Sequence, residues 1–235
     1  LITAAYGQML PKALLDVLPA LNVHGSLLPK YRGGAPIQYA LFDGLKETGI
    51  TIMYMAFQMD SGDIIEQEKV SIAENDNYLS LSKKLSLIGA KLLDKVLIDL
   101  SKGIIHRTPQ KENDVTFAFT LKHHDEHIDF NQTTDIILNR LKGLTPEPGG
   151  YALINGHQIK IYQMKKSDII NHAGEPGVIL DAKKSFIVST LDGAVELIEI
   201  QVPGKRKMHV KDFLNGQNII KTGDQFHKGE VSSNG

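Results

Sequence analysis

Three polar residues carry the chemistry this sequence can offer. Asn22 and His24 stand two apart in Leu21-Asn22-Val23-His24, and Asp60 lies in Met59-Asp60-Ser61-Gly62-Asp63. On an extended strand, side chains i and i+2 leave on one face, so Asn22 and His24 project together while Val23 turns into the core. An amide can hold a developing oxyanion, and an imidazole can donate a hydrogen bond or move a proton. These are tools for acyl-type transfer. The strand runs directly into Gly25-Ser26-Leu27-Leu28-Pro29, which puts the pair near a strand's carboxyl end, where open α/β sheets bind ligands. Singly, each signal is weak. A lone Asn-x-His is more often a hydrogen-bonded structural pair, and Asp60 alone is more often a turn former.

The elements that must position these residues follow an α/β pattern up to about residue 102. Leu1 to Tyr6 reads as a strand, and Pro11 opens a short helix through Leu14, Leu15 and Val17, Pro being suited to a first turn. Leu21 to His24 is the second strand. Pro36 starts a helix with Ile37, Ala40 and Leu41 on one face and Gly44 as its stop. Thr51 to Ala56 and the stretch from Ile64 read as strands. Leu81, Leu85, Ile88, Leu92, Val96 and Leu100 then recur every three or four residues, one apolar stripe of a long helix, with Asn75 or Asp76 as its cap and Gly103 after its end.

Residues 103–121 show no periodicity and read as a linker. Beyond them the pattern changes to a short helix from Thr133 to Lys142, a breaker cluster from Thr145 to Gly150, and hairpins. Tyr151 to Ile154, Asn155-Gly156 and His157 to Tyr162 form one hairpin; Phe186 to Val188, Asp192-Gly193 and Val195 to Val202 repeat the pattern. Short strands joined by tight turns suggest a small barrel.

Composition limits the classes. The 235 residues are 42% hydrophobic and 23% charged with a net charge of -1, ordinary globular values. No apolar run approaches the ~20 residues of a membrane span. With 0 Cys there are no disulfides and no thiolate metal sites, which fits a reducing cytosol. Residues 1–150 hold 15 basic and 18 acidic residues and residues 151–235 hold 11 and 9, so only the back half is mildly basic. The chain opens on Leu inside a strand pattern, with no initiator Met, signal peptide or charged lead-in, and a cropped chain is the expectation.

Three motifs together resemble the folate-dependent formyltransferases: Asn22-Val23-His24-Gly25-Ser26-Leu27-Leu28-Pro29, Arg32-Gly33-Gly34-Ala35-Pro36-Ile37-Gln38 and Met59-Asp60-Ser61-Gly62-Asp63-Ile64. The superfamily's Asn-x-His, Ser-Leu-Leu-Pro and later Asp-x-Gly turn occur in order and at its spacing. The His-Gly-Ser-Leu-Leu-Pro form followed by Arg-Gly-x-Ala-Pro-Ile-Gln is similar to the branch acting on methionyl-tRNA. The glycinamide ribonucleotide branch usually has Pro at the place of Gly25 and ends soon after the long helix. Ile128-Asp129-Phe130, Pro146 to Gly150, Pro176 to Ile179 and Gly204 to Met208 resemble the tRNA branch's barrel. Thr222 to Gly235 matches nothing. Two departures stand out. Complete members begin with a βαβ section, placed before Leu1, whose loop engages the tRNA acceptor end. Pro146-Glu147-Pro148 also replaces a common Pro-Trp-Pro, in a chain with 0 Trp.

The resemblance implies an α/β catalytic domain over 1–102, the C-terminal half of a Rossmann-like formyltransferase domain, incomplete at its N-terminus. The linker 103–121 and a small OB-like β-barrel tRNA-binding domain over 122–235 follow. The implied reaction moves the formyl group of 10-formyltetrahydrofolate to the α-amino group of methionyl-initiator tRNA, in translation initiation, without a metal. Asn22 is the oxyanion donor, His24 the electrostatic and proton-handling group, and Asp60 orients His24 and helps remove the amine proton. Ser26, Leu27, Leu28 and Pro29 form the folate-side loop, and backbone groups of Gly7, Gln8 and Met9 line the pterin pocket. Arg32-Gly33-Gly34 is expected to be a mobile flap, since glycine leaves the backbone permissive. Lys205, Arg206 and Lys207 are candidate tRNA phosphate contacts, with a merely solvated loop as the equal alternative. His123-His124-Asp125-Glu126-His127 reads as a solvated charged segment without metal-ligand spacing, and Lys165-Lys166 and Lys183-Lys184 carry no stronger signal. A cytoplasmic monomer with no membrane contact is implied. Three rivals remain: an amino-sugar-nucleotide formyltransferase, a formyltetrahydrofolate hydrolase and a non-catalytic tRNA-binding remnant.

Overall fold

The computed structural model describes residues 1–5, 10–169, 174–216 and 220–227. It divides into two compact units, Leu1–Ala40 with Leu45–Leu121, and Leu41–Gly44 with Lys122–Gly235.

The first unit is built on a four-stranded sheet ordered β1 (Ile2–Ala4), β2 (Leu21–His24), β3 (Glu47–Tyr54) and β4 (Ile64–Ser71). Helix α1 (Lys12–Leu15) connects β1 to β2, and α2 (Pro36–Phe42) follows the site loop. Only β1 and β2 run parallel; β2–β3 and β3–β4 are antiparallel, so the sheet is mixed. The nine residues between β3 and β4 are too few for the crossover that a parallel pair needs. Strand β3 begins at Glu47, four residues before the strand signal at Thr51. Its Gly49 hid that start, and a β-carbon there would collide with Leu27 and the Glu68 carbonyl.

Helix α3 (Tyr78–Ser101) covers the sheet through buried Leu81, Leu85, Gly89, Leu92 and Val96. A β-carbon on Gly89 would stand 3.1 Å from Val23 Cγ1, so the helix rests where Val23 projects. That leaves Asn22 and His24 the opposite face of β2. The helix is capped by Asn77 rather than by Asn75 or Asp76: Ser80 N donates to Asn77 Oδ1 at 2.9 Å, and Asn77 N donates to Ser80 Oγ at 3.0 Å. Asn77 is the one of these three residues placed three positions before a side chain that can return the bond. Asp76 braces the cap instead, accepting from Ser80 Oγ and Ala73 N, both at 2.8 Å.

The stretch 103–121 lies along this unit. Thr108 and Ile64 exchange two backbone hydrogen bonds of 2.9 Å, and Arg32 N and Ala118 N form a similar exchange around Thr116 O and Arg32 O. Its partners are backbone groups at a sheet edge and a loop, which explains its lack of apolar periodicity.

The second unit holds α4 (Thr134–Leu144), then β5 (Gly150–Ile154), β6 (His157–Lys166), β7 (Ile179–Asp181), β8 (Phe186–Ser189), β9 (Ala194–Gln201), β10 (Met208–His209) and α5 (Val210–Gly216). The strands form one antiparallel sheet in the order β5-β6-β9-β8-β7, with β10 also on β9. Asn155 and Gly156 take φ of +49° and +74°, the two left-handed positions of a tight hairpin turn. Register shifts in β6 around Gln163 curl the sheet. Residues 223–227, unassigned from sequence, bridge its two ends. Ile179 N donates to Asp224 O at 2.8 Å, Phe226 N to Gly177 O at 2.8 Å, and His227 N to Leu153 O at 2.9 Å. Phe226 is buried against Phe130 and Phe186, with ring centroids 5.0 and 6.2 Å apart.

Candidate active site

Strand β2 delivers Asn22 and His24, and the β3–β4 connection delivers Asp60. His24 is 5% exposed. Its Nδ1 stands 3.7 Å from Asp60 Oδ2, and its Nε2 is 3.0 Å from the Tyr31 carbonyl oxygen. A carbonyl only accepts, so Nε2 carries a proton there and Nδ1 is the ring atom that faces the carboxylate. Asn22 Nδ2 approaches Asp60 Oδ1 at 3.5 Å. The Thr3 hydroxyl donates to Asn22 Oδ1 at 3.0 Å, which turns the amide's NH₂ end toward Asp60. Asn22, His24 and Asp60, 38 residues apart at their extremes, therefore meet at one carboxylate.

Asp60 adopts a left-handed backbone, φ +48°, which Asp tolerates better than most residues. Beside it, a β-carbon on Gly62 would collide with the Tyr54 carbonyl. The turn thus needs Gly where it leans on the end of β3. Gly33 N donates to Asp60 Oδ2 at 2.8 Å, so the loop after β2 grips the same carboxylate as the histidine.

That loop is not a free flap. Tyr31 N donates to Thr116 Oγ1 at 2.9 Å, and Ala35 N to Ala118 O at 3.0 Å. Arg32 is 4% exposed, with its guanidinium on Glu112 Oε1 at 2.9 Å and its Nε on Gln110 Oε1 at 3.0 Å. The glycines serve close approach: a β-carbon on Gly33 would strike the Ala118 carbonyl, and one on Gly34 the Thr120 hydroxyl. Spacing alone cannot distinguish glycine used for freedom from glycine used for contact.

In the Ser26–Pro29 loop, Ser26 and Leu28 are buried. Thr51 Oγ1 donates to Ser26 O at 2.6 Å and accepts from Leu28 N at 3.1 Å, while Gln67 Nε2 donates to Leu28 O at 2.9 Å. Leu27 and Pro29 are half-buried. Leu27 and Pro29 keep part of their side chains exposed, while Ser26 and Leu28 hold the loop's shape. Gly7, Gln8 and Met9 lie outside the described residues.

Sequence reasoning missed Thr3, Thr51, Gln67 and Gln110. Each is a polar residue whose partner lies at least 16 residues away, and no local signal marks it.

In the second unit, Lys205 and Arg206 are exposed, and Lys207 pairs with Glu199 Oε2 at 2.9 Å and lies over the Tyr162 ring. The histidine run is only partly solvated. His123 stacks on Tyr151 at 4.7 Å and His127 meets the same ring edge-on at 5.3 Å. Burial pushes the His127 imidazole below its usual pKa, and its Nε2 is buried with no hydrogen-bond partner among the described residues. Among those residues no group of His, Asp and Glu is arranged to hold a metal ion.

Comparison with known proteins matches this architecture. Residues 1–97 match the family model described as formyl transferase, and residues 120–218 the model of the formyl transferase C-terminal domain. Methionyl-tRNA formyltransferase of Latilactobacillus sakei is 45% identical over 219 residues, covering 92% of this chain and 69% of that protein. Methionyl-tRNA formyltransferase of Staphylococcus aureus is 43% identical over 225 residues, covering 94% and 72%. The crystal structure of HypX from Aquifex aeolicus in complex with tetrahydrofolic acid superposes with a TM-score of 0.70 at 18% identity, covering 91% of this chain and 38% of that one. At that identity the likeness carries the fold alone. The family-model matches and the identity to these two relatives agree: this chain belongs to the methionyl-tRNA formyltransferase family.

Proposed function

We propose that Asn22, His24 and Asp60 are the catalytic groups of a one-carbon transferase that moves the formyl group of 10-formyltetrahydrofolate to the α-amino group of methionyl-initiator tRNA. Family membership supplies the reaction. The convergence of an amide, an imidazole and a carboxylate, with Asp60 Oδ1 3.5 Å from Asn22 and Oδ2 3.7 Å from His24, carries the assignment of residues.

The donor set fits an acyl donor and asks for no metal. The folate supplies an activated one-carbon unit when bound, and the side chains do the rest. Asn22, its oxygen held by Thr3, offers N–H groups to a developing oxyanion, the type of preorganised donor that contributes most to acyl transfer. His24 adds a buried dipole or cation at the same point and exchanges a proton at Nδ1. As the amine–formyl bond forms, the bond between the formyl carbon and the folate nitrogen breaks. Asp60 holds the ring and takes up the proton lost by the amine, directly or through one water, and His24 returns a proton to the departing nitrogen, which leaves as tetrahydrofolate. The Ser26–Pro29 loop borders the folate side.

For the second unit we propose an OB-like barrel that engages tRNA through Lys205, Arg206 and Lys207, supported by the curled antiparallel sheet and the exposed basic loop. A reaction on aminoacyl-tRNA implies a cytoplasmic protein. The test is to offer purified protein 10-formyltetrahydrofolate with methionyl-tRNA, with an amino-sugar nucleotide, or with no acceptor. Formylation of methionyl-tRNA is expected. Preferential formylation of the sugar, or formate release without an acceptor, would replace this reading.

A further inference from the structure

The Asp60 turn is held from a direction the catalytic triad does not explain. Gln110 Nε2 donates to the Asp60 carbonyl at 2.7 Å and to the Gly62 carbonyl at 2.8 Å. One amide nitrogen thus clamps both sides of the turn. Gln110 Oε1 accepts from Arg32 Nε at 3.0 Å, which orients the amide so that its NH₂ end must face the turn. Arg32 is buried and fixed by Glu112, and its neighbour Gly33 donates to the Asp60 carboxylate. The loop after β2 and the segment after α3 thus meet at the same residue. Asp60 itself sits at φ +48°, a backbone region that persists only where the surroundings over-determine it. The Gln110 amide fixes the backbone carbonyl of this left-handed residue, whose carboxylate faces His24 Nδ1.

We infer that Gln110 is a positioning residue for the transfer reaction: its amide holds the Asp60 backbone so that the carboxylate faces His24 and Asn22. The segment after α3 then helps to position the site through Gln110. This rests on Asp60 being a catalytic group. Gln110 touches no reacting atom, and its action passes through the placement of Asp60. A misplacement of about 1 Å costs on the order of 10²-fold in rate.

The experiment uses Gln110→Met, which keeps the volume and removes both donors, and Gln110→Glu, which keeps an acceptor for Arg32 but sets a carboxylate against two carbonyls. Thermal unfolding identifies which variants are folded at the assay temperature. For folded variants, kcat for methionyl-tRNA formylation is expected to fall by about 10- to 10²-fold. KM for folate and for tRNA should stay within about threefold, since binding groups are untouched. Repeated in an Asp60→Ala background, the Gln110 substitution should change the residual rate less than about twofold, the non-additivity of residues acting as one unit. A kcat loss below threefold in a folded variant, or the same loss with and without Asp60, overturns the inference. Asp60→Asn measured alone separates the two ideas. Full activity there removes the catalytic reading and the inference with it, whereas lost activity at Asp60 with a silent Gln110 removes the inference alone.

Discussion

At the scale of single residues, the site consists of a buried imidazole and a carboxylate that is held at several points. Gly33 N, Asn22 Nδ2 and His24 Nδ1 all point at Asp60, so removing its charge weakens three contacts that share one partner. His24→Ala and Asp60→Asn are expected to lower methionyl-tRNA formylation by about 10²–10⁴-fold, the range for a positioned acid–base group. Folate affinity, measured by fluorescence quenching or calorimetry, should persist, because the Ser26–Pro29 loop is held by Thr51 and Gln67 instead. Turnover above a tenth of wild type in either variant would remove that residue from the assignment.

At the scale of elements, α4 shows how a helix can depend on a residue far from it in sequence. Its N-cap residue Thr133 makes no side-chain cap. Asp192, in the β8–β9 turn, accepts from Thr134 N at 2.7 Å and from Thr134 Oγ1 at 2.9 Å, and so satisfies an end the helix leaves open. Asp192→Ala should cost about 1 kcal/mol of unfolding free energy, as for loss of an N-cap. The Thr134 backbone N–H first, with the Thr134 and Thr190 hydroxyls, holds the Asp192 carboxyl below its ordinary value of 3.8. A depressed folded pKa makes the cap's contribution complete above pH 3.8 and progressively lost as pH falls through the lower folded value. Denaturant titrations of wild type and variant should differ by a constant amount near neutrality and converge in strong acid. A gap unchanged across that acid range would mean the carboxylate's charge plays no part.

At the scale of the molecule, charge and closure of the second unit matter for a polyanionic partner. Lys205 and Arg206 are exposed, whereas Lys207 is engaged with Glu199. Replacing all three with Ala should weaken tRNA binding similarly for different tRNAs. It should also flatten the salt dependence by roughly 0.7–0.9 in log K per log salt for each phosphate that the loop no longer neutralises. The change should come mainly from Lys205 and Arg206, so the Lys207→Ala single variant should shift the slope least. Filter binding across a salt series measures this, and identical slopes for wild type and triple variant would make the loop a solvated one.

The sequence by itself determined many of the elements and the family. Alternation along Leu21–His24 and the Gly and Pro that follow mark a strand ending in a loop. The three- and four-residue spacing from Leu81 to Leu100 marks a helix that proved to run Tyr78–Ser101, with Ile88 and Leu100 only half-buried, and Asn155-Gly156 marks a hairpin whose strands pair in the expected register. These signals are local because side-chain periodicity and turn conformation are set by neighbours along the chain. The antiparallel course of β3 was decided only in three dimensions, as was the use of Gly33 and Gly34 for contact rather than freedom. So were the meeting of Asp60 with Gly33 and His24, the Gln110 clamp, the Asp192 cap and the closure of the curled sheet by residues 223–227. These last four join groups that stand 27 to 74 residues apart along the chain. Backbone hydrogen-bonding groups are the same at nearly every residue, so nothing in the type of a residue says which distant carbonyl or amide it will face.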